Sequence, residues 1–138
     1  MASPLVVLDT NVLVCALRSN KGESFAVLER IGEGEFEIAV SVPLVLEYED
    51  AMLRHRGSLS AAEVRDIVDY VCSEARHHQV YFLWRPLLRD PNDDMVAEVA
   101  VAAGAQAIVT HNHRDFLGVE KFGLKIWSPR QLLERMRK

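Results

Sequence analysis

The chain has no excess of basic residues: Lys and Arg number 16 against 20 Asp and Glu, for a net charge of −4 over 138 residues. Domains that hold nucleic acid by bulk electrostatics are usually basic, so that mode of binding is disfavoured. One route to a nucleic-acid partner stays open, because a carboxylate cluster that takes up metal ions becomes locally neutral or positive. Long apolar runs are also missing, and none approaches the roughly 18 residues that a membrane-spanning helix needs. Met1-Ala2-Ser3-Pro4 carries no basic side chain, and the apolar stretch behind it meets Asp9 too early for a signal peptide; the expectation is a cytoplasmic protein without a membrane segment. Cysteine is scarce. Cys15 and Cys72 each lie in an apolar helical pattern without metal-ligand spacing, which predicts buried thiols in a reducing compartment, not a disulfide or a zinc site. There is no Gly-rich phosphate loop and no Ser-His-Asp or Cys-His pattern. Nor is there a linker, an internal repeat or a low-complexity stretch, so residues 1–138 read as one domain.

What is present belongs to a soluble globular fold. Apolar residues make up 49% and charged residues 26%, which excludes a disordered or fibrous chain. A chain of this length buries roughly two-thirds of its unfolded surface, enough for a core without staples. Leu5-Val6-Val7-Leu8 is an unbroken branched run, as a strand buried on both faces reads. Val12, Leu13, Ala16 and Leu17 then recur at helical spacing, and a second helix is expected from Glu23 to Ile31, stopped by Gly32 and Gly34. Phe36 to Val40 is the next strand, after which Ser41 caps a helix with Pro43 in its first turn, running to His55. Ser60-Ala61-Ala62-Glu63 is a capping box that opens a helix to His78. A third strand is expected over Val80 to Leu83 and a connector over Arg85 to Arg89. Asp90-Pro91-Asn92-Asp93-Asp94 opens a helix ending at Gly104, Ala107 to Thr110 is a fourth strand, and Leu124 to Trp127 a fifth. Ser128-Pro129-Arg130-Gln131 caps the terminal helix. Strands alternating with helices predict an α/β fold with a parallel sheet covered on both faces. Ligands of such sheets bind beyond the carboxyl ends of the strands.

Acids stand at those ends. Asp9 closes the first strand and begins a helix, where free N–H groups favour an anion; an ordinary helix N-cap reads the same way. Glu47 sits beside the apolar stripe of Leu44, Tyr48 and Ala51, so it either snorkels to solvent or points into a cleft. Asp93 and Asp94 occupy a first helical turn, which the helix dipole alone would favour. Glu98 follows Asp94 by one turn with no Lys or Arg between them, a pair that repels unless a cation intervenes. Asn112 and Asp115 follow the fourth strand, with Asp115 also placed to cap the turn of Phe116 and Leu117. His111 and His113 lack the third ligand that zinc would need, and read as loop residues or RNA contacts before metal ligands. An all-oxygen set of this kind suits Mg²⁺ or Mn²⁺ and phosphodiester hydrolysis. A phosphoaspartyl phosphatase would want an acid where Asn11 stands.

With these residues in place, the sequence resembles the PIN-domain family over essentially its whole length. Val6-Val7-Leu8-Asp9-Thr10-Asn11-Val12-Leu13 resembles the family's first motif and Ser41-Val42-Pro43-Leu44-Val45-Leu46-Glu47-Tyr48 its second. Asp90 to Asp94 with the helix ending Ala103-Gly104-Ala105 resembles the third, and Ala107-Ile108-Val109-Thr110 with Asn112 and Asp115-Phe116 the fourth. The resemblance implies a three-layer α/β/α sandwich with a central parallel sheet of about five strands, and a Mg²⁺- or Mn²⁺-dependent endoribonuclease. It further implies a toxin of a toxin–antitoxin pair, with RNA as substrate, a protein antitoxin as partner and a homodimer as a further assembly. Asp9, Glu47 and Asp94 carry over as catalytic metal ligands, with Asp93 and Glu98 as further candidates. The fourth ligand is open between Asp115, the preferred residue, and Asn112, which stands where many relatives carry Asp. Asn11, Thr110 and Asn112 are expected to orient ligands through hydrogen bonds. A catalytically silent RNA- or protein-binding module and a housekeeping RNA-processing nuclease are the alternatives. Erosion of the acids would mark the first, and a neighbouring gene without a DNA-binding pattern the second.

Overall fold

A computed structural model describes residues 3–80, 88 and 90–136. Five strands form one parallel sheet: β1 (Leu5–Leu8), β2 (Glu37–Val40), β3 (Arg76–His77), β4 (Ala107–Val109) and β5 (Lys125–Trp127). Their spatial order is β3-β2-β1-β4-β5, with Leu8 in register with Val109 and Val6 with Ile38. The helices are α1 (Thr10–Arg18), α2 (Glu23–Glu29), α3 (Val42–Arg54), α4 (Ala61–Glu74), α5 (Pro91–Ala103) and α6 (Pro129–Met136), with a 3₁₀ helix over His113–Phe122. They cover the sheet as the outer layers of an α/β/α sandwich, with α5 lying over β1, β2 and β4.

The central strands are the core. Val6, Val7, Ala107, Ile108 and Val109 are fully buried, and Leu8 nearly so. Each such Val, Leu or Ile side chain contributes about 1.5–3 kcal/mol by leaving water. Helix α5 presents Val96, Ala97, Val99 and Ala100 to the interior, all fully buried. It ends because Gly104 turns left-handed at φ 66°, a conformation that glycine adopts without a Cβ penalty. The Ser60–Glu63 capping box is formed in both directions, at 3.1 and 2.9 Å. Ser128 and Gln131 exchange the same pair of bonds at the start of α6.

Three expectations are corrected. Helix α4 stops at Glu74 and does not reach His78, because Arg76 and His77 pair with Ala39 and Val40 as an edge strand. Val80 belongs to no strand; the rest of the expected third strand, and the connector after it except Leu88, lie outside the described residues. Cys15 and Cys72 are free but only partly covered, since they border the buried stripes of α1 and α4 instead of lying within them.

Candidate metal centre

The chain leaves β1 in one direction, through β2 to β3, and β4 leads the other way to β5. The two paths part between β1 and β4, the switch point where sheets of this kind bind ligands in a crevice at the carboxyl edge. Asp9 and Thr110 are the first residues beyond those strands. The backbone N–H of Asp9 donates to the Val109 carbonyl at 2.8 Å, a last rung between the strands. Its carboxylate makes no capping bond to α1. Instead Oδ2 accepts from the Thr110 hydroxyl at 2.7 Å, and that oxygen accepts from the Asn112 N–H at 2.9 Å. A hydroxyl has one proton, so accepting from Asn112 leaves it aimed at Asp9.

Asp9 is only 6% exposed. Burial pushes its carboxyl up to about 6 in spite of the bonds from Thr110 and Thr10, with Asp115 and Asp90 adding repulsion. Asp93, half-buried in the first turn of α5, is pushed up to about 7 by burial first, and then by Asp9, Asp90, Asp115 and Asp94. No described cation offsets either acid. Asp94 makes a backbone contact as well. It is 1% exposed and its Oδ1 accepts from the Leu88 N–H at 2.7 Å. Glu98, one turn further along α5, is 3% exposed.

Glu47 stands at the margin, its side chain 16% exposed with Arg54 Nη2 4.0 Å away. Burial raises its pKa, Arg54 lowers it, and Asp50 and Asp90 raise it again. The next residue explains its position: the fully buried Tyr48 hydroxyl donates to the Leu8 carbonyl, pinning α3 to the end of β1. Burial above all, and then Asp9, hold the Tyr48 proton in place, so it acts as a permanent donor. Asn11 contributes a buried Oδ1 that has no hydrogen-bond partner among the described residues.

The structure therefore joins Asp9, Thr110 and Asn112 by hydrogen bonds. It brings Asp9, Asp93 and Asp115 within one another's electrostatic reach, with Asp94 acting on Asp93, and leaves Glu47 connected to them through Asp90. Among the described residues, no three His, Cys, Asp or Glu side chains stand close enough to form a ready metal cage. His113 and Asp115 are exposed on the 3₁₀ helix. Two features were not foreseen. Asp90 does cap α5, accepting from Asn92 N–H at 2.9 Å, but its charge also bears on Asp9, Glu47 and Asp93; an Asp-Pro at a helix start signals only the cap. The Ser24 hydroxyl meets His111 Nε2 at 2.6 Å across 87 residues of sequence, a separation that hides the pair from any local pattern.

No curated protein sequence matches the chain. Among solved structures, VapBC2 from Rickettsia felis bound to a DNA fragment from their promoter superposes with a TM-score of 0.64. That match has 20% identity and covers 89% of this chain and 98% of the other, a likeness of fold. A family model described as PIN domain matches residues 5–114, which takes in the crevice from Asp9 through Thr110 and Asn112 and stops one residue short of Asp115. By that match over most of its length, the chain belongs to the PIN domain family.

Proposed function

We propose that this protein is a divalent-metal-dependent endoribonuclease, acting as one domain in the cytoplasm and serving as the toxin of a toxin–antitoxin pair. The observation that carries the reading is the pair of acids at the β1–β4 crevice, Asp9 and Asp93, pushed up to about 6 and about 7 by burial and by other carboxylates. Packing acids together in this way costs stability unless a cation compensates them. The donor set fits a hard ion: it is all oxygen, and it includes the unpartnered Asn11 carbonyl. Asp9, Asp93 and Asp115 would hold Mg²⁺ or Mn²⁺, with Glu47 completing the set from α3 and Asp90 adding charge at the rim. Asp94 supports the start of α5 through the Leu88 N–H. Thr110 holds Asp9 Oδ2 and so fixes how the carboxylate faces a ligand. When bound, a divalent ion makes a water more acidic and offsets charge on a phosphodiester. The likeness to VapBC2 supports the toxin role and the protein partner. Val42 and Leu46, 69% and 62% exposed one turn apart on α3, offer an apolar surface for that partner or for a second copy.

The test is cleavage of single-stranded RNA by wild type and Asp9→Asn, each with Mn²⁺ and with a chelator. Cleavage is expected only from wild type with metal. Equal rates from the variant, or undiminished cleavage in chelator, would overturn the proposal.

A further inference from the structure

One polar contact at the rim has no part in holding a cation. Ser24, in the first turn of α2, is 4% exposed, and its one hydrogen bond among the described residues goes to Nε2 of His111 at 2.6 Å. A helical serine more often bonds back to a carbonyl one turn earlier. Here the buried hydroxyl is committed to an imidazole on a different part of the chain. His111 directly follows Thr110, so it stands one residue, about 3.8 Å of backbone, from the hydroxyl that holds Asp9. The ring is fixed at one nitrogen, while His111 itself is exposed and Nδ1 has no partner among the described residues. A tie serving stability alone would gain by burying the ring. With the Ser24 hydroxyl as donor, Nε2 is the acceptor and Nδ1 carries the proton, so the open side presents an N–H.

The surroundings on this side carry both signs of charge. A groove of about 440 Å³ between α2 and α6 is lined by Lys21 and Arg130 and equally by Glu23 and Glu134. Lys21 has no ion pair among the described residues, and Arg130 meets Glu23 at 3.2 Å on the exposed surface.

We propose that His111, held by Ser24, is a strand-positioning residue: it takes a backbone phosphate of single-stranded RNA next to the phosphate at the carboxylate crevice. The inference rests on the ribonuclease reading above. The test measures anisotropy of a fluorescent single-stranded oligoribonucleotide in the Asp9→Asn background, with His111→Ala, His111→Gln and Ser24→Ala added singly. His111→Ala is expected to weaken binding about tenfold, the scale of one charge-assisted hydrogen bond. Ser24→Ala should weaken it less, and His111→Gln, which keeps an N–H donor, should recover most of the loss. In the cleavage-competent protein His111→Ala should raise KM with kcat unchanged, and its Mn²⁺ affinity by calorimetry should match wild type. Unchanged RNA affinity and KM in His111→Ala would overturn the proposal, as would losses that merely track a fall in melting temperature. Failure of wild type to cleave or bind RNA would instead remove the ribonuclease reading itself.

Discussion

The interior of the sheet and its carboxyl edge are one residue apart, and they follow opposite rules. Leu8 and Val109 are packed among aliphatic side chains at the heart of the core, where burial removes apolar surface from water. Asp9 and Thr110 come next on the same strands and are almost as buried, at 6% and 2% exposed. For Asp9, burial disfavours the charged form, and the other acids at the rim add to the cost. The sheet interior is arranged for stability; the edge gives some stability up in exchange for a binding capacity. Sites that violate local rules of stability are where function is expected.

The largest effect that could break this comparison is a pair of substitutions at adjacent residues. Leu8→Ala should cost about 2–5 kcal/mol in denaturant unfolding, the usual range for a fully buried leucine. Asp9→Asn in metal-free protein should go the other way, gaining on the order of 2 kcal/mol by removing a carboxyl whose pKa is raised from 3.8 to about 6. If both variants lose stability alike, the edge is ordinary core and the distinction fails.

Two neighbours in α5 sharpen it next. Asp94→Ala leaves the Leu88 N–H without its acceptor and should cost about 1–3 kcal/mol. Asp93→Ala should leave stability unchanged or higher while Mn²⁺ affinity drops at least tenfold by calorimetry. The reverse assignment of losses would return the ligand role to Asp94.

Proton linkage is the third test. The folded-state pKa values of Asp9 and Asp93 lie above the ordinary carboxylate value, so their favourable contribution is complete below about 4 and is lost as pH rises through about 6 and about 7. Melting temperature in chelator should therefore rise by several degrees from pH 8 to pH 5, with the rise reduced in Asp9→Asn. Millimolar Mn²⁺ should restore stability at pH 8 and do little at pH 5. A flat profile in chelator would show that the acids are not strained.

Smaller differences follow at the rim. Asp115→Ala should weaken Mn²⁺ binding more than Asn112→Ala, because a full charge outweighs a neutral carbonyl for a hard ion. The opposite ranking would move the fourth ligand to Asn112. Arg54→Ala should tighten Mn²⁺ binding only about twofold, since that exposed side chain competes for Glu47 from 4.0 Å and is better engaged with Asp50. A loss of Mn²⁺ affinity on removing Arg54 would mean that it positions Glu47 and does not compete for it.

Local pattern made most of the fold legible. Periodicity located β1, β2, β4 and β5 to within a residue or so, and cap chemistry located the starts of α3, α4, α5 and α6. The edge strand Arg76–His77 escaped, because two exposed polar residues carry no apolar alternation; only Ala39 and Val40, already in place, make them a strand. Asp9, Thr110 and Asn112 are candidates by their position just after strands, and Glu47 by its place beside an apolar helical stripe. The choice between Asp93 and Asp94 could not be read this way. Both sit in the same first turn, and which carboxylate meets the Leu88 N–H and which meets the other acids depends on how α5 is rotated against the sheet.

The sequence by itself determined the kind of fold and the edge of the sheet at which charge collects, because burial pattern and caps act over a few residues. Only the tertiary structure decided which charges meet. The Thr110–Asp9 bond, the influence of Asp90 on Asp9, and the Ser24–His111 contact each join elements far apart in the chain. Coulomb interactions and hydrogen bonds depend on distance in space, and that distance exists only once the strands are in order.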